Sequence, residues 1–166
     1  MNFKQGIFFV FFLVATQPLS SQDLGKLFKI AEETFYEEEF EDALEILEVI
    51  IENDPDPIED VFYKAEICSL LTDYPSKPLE GFLKYEEKFS KKDKFYNYWK
   101  GRILLRKYKM VEADEAFKEF LKTKAFLSKE IKSEVKTWRN WLSETKEALD
   151  NPFAYEIHQL EDRINT

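Results

Sequence analysis

The chain has one cysteine, one histidine, four glycines and six prolines in 166 residues. Cys68 has no partner for an internal disulfide, so the fold has to stand on packing. So few glycines and prolines leave little turn chemistry for a protein of many short strands. No glycine-rich phosphate loop and no Gly-x-Ser-x-Gly elbow occurs. His158, beside Glu156 and Asp162, falls short of the nitrogen or sulfur ligand set of a zinc site, and Cys68 has no histidine partner to activate it. Among Ile67, Leu70 and Leu71 it reads as a small core residue. Metal-dependent and nucleophilic catalysis are therefore hard to build from this chain; an envelope hydrolase is the least favoured alternative, and no cofactor is expected.

Basic residues are also in deficit, 24 Lys and Arg against 33 Asp and Glu, for a net charge of -9. Nucleic acid is an unsuitable partner for such a surface, which carries no basic stripe interleaved with aromatics. Long apolar runs are absent except at the start, where Ile7 to Ala15 is unbroken behind Lys4 and ahead of Pro18, Ser20 and Ser21. Residues 1–21 read as a secretory signal peptide. The run is well short of the roughly 20 residues that span a bilayer, so no membrane span is expected after cleavage. The mature protein loses Lys4 and no acid, and it is expected in the periplasm or at the outer membrane.

The chain is well supplied with core-forming residues: 44% are apolar and 16% aromatic. From Asp23, a candidate N-cap, the residues Leu24, Leu27, Phe28, Ala31 and Phe35 recur at helical spacing. A second stretch runs through Phe40, Ala43, Leu47 and Ile50 and stops at Asn53-Asp54-Pro55, because proline lacks the amide hydrogen of a continuing helix. The next unit starts near Ile58 and carries Val61, Phe62, Ala65, Ile67 and Leu70. After a longer turn at Pro75 to Pro78, its second helix spans Leu79 to Phe89. A third unit holds Phe95, Tyr98, Trp99, Gly101 and Leu104, then Ala113, Phe117 and Phe120. Ser128 heads a long helix through Ile131, Val135, Trp138, Leu142 and Leu149, read as a cap on the apolar end of the array. Residues 151–166 form a tail or linker whose spacing fits helix (Phe153, Ile157, Leu160, Ile164) and strand (Phe153, Tyr155, Ile157) alike.

The first unit recurs in the third. Ile30-Ala31, Phe40 and Ala43 return as Lys100-Gly101, Met110 and Ala113, and Ala43 to Ala113 is seventy residues. That period is close to two units of about 34 residues. With small residues at the helix crossings, the pattern resembles the tetratricopeptide repeat (TPR). The resemblance implies an all-α solenoid of three helical hairpins plus a C-terminal capping helix over residues 22–150. Unit two departs from it, with Leu79 where the others have Ala43 and Ala113. The runs Tyr98–Arg102, Tyr108–Ala113 and Lys146–Pro152, with Leu160 and Ile164-Asn165, are also similar to the periplasmic TPR front end of certain Gram-negative outer-membrane proteins. Those proteins continue into a propeller and a peptidoglycan-binding domain of the outer-membrane protein A type, some associated with type IX secretion. The peptidoglycan-binding residues of that group have no counterpart in this sequence, and a truncated front end of such a protein is an alternative reading.

Arrays of this kind bind polypeptides on the concave surface lined by their first helices. Counting from Leu24, Ile58 and Lys94, the partner-binding candidates are Glu32, Tyr36, Phe62, Glu66, Tyr98, Arg102 and Arg106, acidic at one end and basic at the other. That polarity suits an extended peptide in the envelope. The lysine and asparagine set with which chaperone-binding TPR proteins clamp a terminal carboxylate is missing; the first unit offers Phe28, Lys29 and Glu32 there. The acidic run Glu37 to Asp42 lacks the alternating ligands and turn glycine of a calcium loop and reads as a solvated helix end. A non-catalytic interaction module or scaffold of the cell envelope is the expected function.

Overall fold

The computed structural model describes residues 19–72, 77–123 and 128–150, and these are all helix and turn. Residues 1–18 of the expected signal peptide 1–21, residues 73–76 with Pro75, residues 124–127, and the tail from 151 onward with His158 lie outside the described residues. Eight helices occur among those described: α1 (Ser21–Tyr36), α2 (Phe40–Asn53), α3 (Glu59–Thr72), α4 (Glu80–Leu83), α5 (Glu86–Lys92), α6 (Tyr96–Arg106), α7 (Met110–Lys122) and α8 (Lys129–Asp150).

The first helix begins earlier than its apolar spacing suggests. Ser20, and not Asp23, is the N-cap: the Asp23 amide donates to Ser20 Oγ at 3.3 Å, and the Ser20 hydroxyl donates to Asp23 Oδ2 at 2.6 Å. Asp23 thus works from inside the first turn in a reciprocal cap, where its negative charge also suits the helix dipole. Ser128 caps α8 as expected, accepting from the Ile131 amide at 3.2 Å. The α6 start is held by Asp93, whose Oδ1 accepts from the Phe95 amide at 2.8 Å while Oδ2 accepts from Tyr63 Oη at 3.0 Å.

The seventy-residue recurrence is a recurrence of backbone. Between α1 and α2, Glu38 sits in the left-handed region at φ 64°, its amide donating to Phe35 O at 3.1 Å and the Glu39 amide to Thr34 O at 3.1 Å. Between α6 and α7, Tyr108 sits at φ 57°, its amide donating to Leu105 O at 3.0 Å and the Lys109 amide to Leu104 O at 3.0 Å. This pair of bonds closes a helix in the Schellman manner, a position that glycine usually fills. In both copies the next helix then opens identically, Ala43 donating to Glu39 O and Ala113 to Lys109 O, each at 2.9 Å.

Small residues sit where the chain crosses itself closely. Ala31, Ala43 and Ala113 are fully buried, and a Cβ added to Gly101 would lie 2.4 Å from Phe117 Cε1. Ala65, the corresponding residue of unit two, is only half-buried, and Leu79 packs at the core edge. The second helix expected for that unit is two short pieces. The Phe82 and Leu83 amides both donate to Leu79 O, the Lys84 amide to Glu80 O and the Tyr85 amide to Phe82 O, all at 3.1 Å, so i→i+3 bonds alternate with i→i+4 bonds here. That winding aligns Leu79, Phe82 and Tyr85 on one face, where Phe82 and Tyr85 surround Tyr63 together with Phe89, whose ring stacks on it at 4.0 Å.

The described helices close into one compact core with α3 at its centre, buried at eight positions from Val61 to Leu71. In a linear solenoid each repeat touches only its neighbours. Here the first hairpin reaches the third directly: Phe35 meets Trp99 edge-on at 4.9 Å and Phe40 meets it at 6.0 Å.

Three substitutions test these features by thermal melting. Ala43→Leu or Ala113→Leu should overpack its crossing and cost about 1–3 kcal/mol. Tyr108→Gly, at an exposed side chain, should relieve the left-handed backbone and add about 0.5–1 kcal/mol of stability.

Candidate functional site

The structure does not place the seven candidate groove residues on one surface. Glu32 is spent on Lys64, whose buried ammonium lies 3.0 Å from its Oε1 and 5.4 Å from the centre of the Phe28 ring. Glu66 turns to Lys77 at 3.2 Å, which also donates to Ser69 Oγ at 2.7 Å. Phe62 packs at the core edge. Tyr36 is exposed, its ring edge-on to Phe35. Both acids of the expected groove are therefore paired with lysines that the helix spacing did not point to, Lys64 on the same helix as Phe62 and Lys77 beyond Pro75 in sequence.

Tyr98 and Arg102 go inward as well. Arg102 bonds Glu38, the left-handed residue of the first turn, and its guanidinium lies among four rings, 5.3 Å from Phe40, 5.5 Å from Tyr98, 5.7 Å from Trp99 and 5.7 Å from Trp138. A planar cation stacks on aromatic faces at such distances, and the glutamate neutralises it. The Tyr98 hydroxyl lies 3.1 Å from Glu38 Oε1 and 3.4 Å from Glu134 Oε2, and burial holds its phenol above the ordinary tyrosine range. One arginine thus joins the α1–α2 turn, α6 and α8.

Beside that joint lies an open cleft of about 470 Å³. Its floor is Phe40 and Leu71, its acidic wall is Glu38, Glu39, Glu41 and Asp42 around the α2 start, and Arg106 stands opposite. It adjoins a hollow of about 370 Å³ bounded by Arg102, Leu105 and Trp138. Of the seven candidates, Arg102 and Arg106 line this surface. The acidic run read as a solvated helix end is indeed exposed, but it is also a wall of the cleft. Trp138 joins because α8 packs on α7 and sends this ring across to Tyr98 of α6, 5.9 Å away, which the spacing within either helix did not reveal.

Among the described residues no group of three or more His, Cys, Asp or Glu is placed to hold a metal ion, and no helix is long and apolar enough to cross a membrane. Cys68 is buried, and burial pushes its thiol up to about 12, so it stays protonated at neutral pH. No protein-family model matches the chain, and neither a curated protein nor a solved structure matches it.

The Arg102 joint gives a graded expectation in chemical denaturation. Arg102→Ala removes a cation, its stem packing and its bond to Glu38, and should cost about 2–3 kcal/mol. Glu38→Gln keeps an acceptor at the half-exposed end of the pair and should cost about 1 kcal/mol or less.

Proposed function

We propose that the protein is a non-catalytic binding module of the cell envelope, exported by its N-terminal segment, that holds an extended polypeptide in the cleft between the α2 start and the ends of α3 and α6. The observation that carries this reading is the cleft itself: a hollow over the largely buried Phe40 and Leu71, rimmed by Glu38, Glu39, Glu41 and Asp42 and also lined by Arg106. An extended chain buries an apolar side chain in such a hollow while its polar backbone and charged groups meet the rim. The recurring hairpin turn supports a TPR-like ancestry, with the array closed on itself at the Phe35–Trp99 contact. A scaffolding role in an outer-membrane or secretion assembly fits the export segment and the sequence resemblance.

Site-specific photo-crosslinking in the native cells tests the surface. A crosslinker at Glu41 should trap a discrete protein adduct, one at the distant exposed Lys29 should not, and Arg106→Glu should reduce the Glu41 adduct about tenfold, equivalent to about 1.4 kcal/mol. Equal trapping at Lys29 and Glu41, or an adduct indifferent to Arg106→Glu, would overturn the assignment.

A further inference from the structure

The C-terminal half of α8 carries an apolar flank that no described residue covers. Trp141 is 49% exposed and Leu149 69%, and from Ser143 to Asp150 only Thr145 is even half-buried. The cause is length: α8 has 22 residues, about 33 Å at 1.5 Å per residue, whereas α7, against which it packs, has 13 and is about 20 Å long. The charge around the flank has one sign. Counting three, four and seven positions either way along the helix, the surface neighbours of Trp141 are Glu134, Thr137, Trp138, Glu144, Thr145 and Ala148. Glu130, eleven residues back, falls within roughly 20° of the same line, whereas Lys132, Lys136 and Arg139 fall roughly 140–180° round the helix, at about 100° per residue. Lys146 borders only the Leu149 end, Arg139 is held by Asp114 on α7, and Arg102, across from Trp138, is held by Glu38.

We propose that this flank docks a cationic amphipathic helix of another protein, with its apolar side on Trp141 and Thr145 and its lysines or arginines against Glu130 and Glu144. The surface is separate from the cleft at the α2 start, and either can bind without the other. A helix suits the flank because its backbone groups are bonded internally, and the backbone of α8, bonded in the same way, has none to offer a strand. Trp138, Trp141, Thr145 and Leu149 follow at steps of three, four and four, a stripe about 16 Å long that three turns of a partner helix cover. The charge follows from the carboxylates: Glu130 and Glu144 are exposed and pair with no described cation, while Glu134 accepts from the Tyr98 hydroxyl at 3.4 Å. A lysine or arginine arriving there meets an acid on either side and the face of an indole between, the aromatic surface that attracts cations most strongly. An acidic helix meets like charge along the same line, and so does a second copy of this chain, whose matching flank is edged by the same acids.

Fluorescence anisotropy with labelled synthetic helices on the full chain tests this. The probe is a peptide of roughly 15 residues, about four turns, with leucine at helical spacing and lysine elsewhere; its counterpart carries glutamate in place of lysine. The lysine peptide should bind at least about tenfold more tightly than the glutamate one, and Trp141→Ser should weaken it about tenfold. Glu130→Lys with Glu144→Lys should weaken it about tenfold as well, whereas Glu48→Lys with Glu52→Lys, an equal change of charge at exposed positions of α2, should leave it within about twofold. Circular dichroism establishes that each variant is folded. Equal weakening by the two double variants would reduce the binding to general attraction by an acidic chain and end the proposal, as would a Trp141→Ser protein that binds like the unmodified one. So would a dimer in sedimentation that Trp141→Ser dissolves, since the occupant is then a second copy. Failure of the lysine peptide to bind, with Trp141 shielded from oxidative footprinting in the dilute free chain, would give the flank to this chain's own residues and overturn the proposal too.

Discussion

The edge-on meeting of Phe35 and Trp99 is the contact on which the rest of the arrangement depends. It joins the end of α1 to the first half of α6, with Phe40 and the Arg102 guanidinium completing the cluster. An array of hairpins without such a contact stays open, its first helices facing solvent along a continuous groove. Once these rings meet, the groove closes over that stretch and the aromatic surface that would have lined it becomes core. The residues beside it follow: Tyr98 and Arg102, which a linear array would present to a partner, become the filling between the first and third hairpins and α8.

Closure also explains the middle of the chain. With hairpins on both sides of it, α3 is buried around most of its circumference, which is why a lysine lies buried within it and has to be met by Glu32. The segment after α3 then has little of the core left to cover. It lies over Tyr63 as two short pieces whose rings, Phe82, Tyr85 and Phe89, crowd one tyrosine. Tyr96 stacks on Phe82 at 5.1 Å, and its buried hydroxyl has no hydrogen-bond partner among the described residues. Aromatic burial outweighs the satisfaction of one polar atom here, because a ring of that size removes far more apolar area from water than a lost hydrogen bond costs.

Much of the local structure was legible in the sequence. The spacing of Leu24, Ala31 and Phe35, the stop at Asp54-Pro55, the cap at Ser128 and the small residues Ala43, Gly101 and Ala113 all lie where pattern and propensity place them. What pattern did not convey was pairing across the chain. Periodicity assigns a residue to a face of its own helix, but it does not say which helix arrives at that face. Glu38 and Arg102 are 64 residues apart, and nothing in either neighbourhood marks them as partners. The break at Lys84 carries little local signal for a related reason: neither Lys84 nor Tyr85 is a glycine or proline, and the interruption accompanies the packing of Phe82 and Tyr85 around Tyr63. The reading of the α2 start as a solvated end was right about exposure and incomplete about shape, since a wall needs an opposite side, and Arg106 and Trp138 come from other helices.

The Arg102 joint and the cleft beside it are linked electrostatically. A left-handed Glu38 costs backbone energy that glycine would avoid, and the structure offsets it by giving the carboxylate to a guanidinium among four rings. With Glu38 neutralised, Glu39, Glu41 and Asp42 remain as carboxylates that pair with no described residue. Two of them, in the first turn of α2, are also favoured there by the helix dipole, so their presence costs the fold nothing. Arg102 is engaged with Glu38 and the rings, and the other three carboxylates share the cleft with Phe40, Leu71 and Arg106. The pairing that joins the first turn to α6 thus leaves the adjoining cleft acidic along the α2 start, over the buried Phe40 and Leu71.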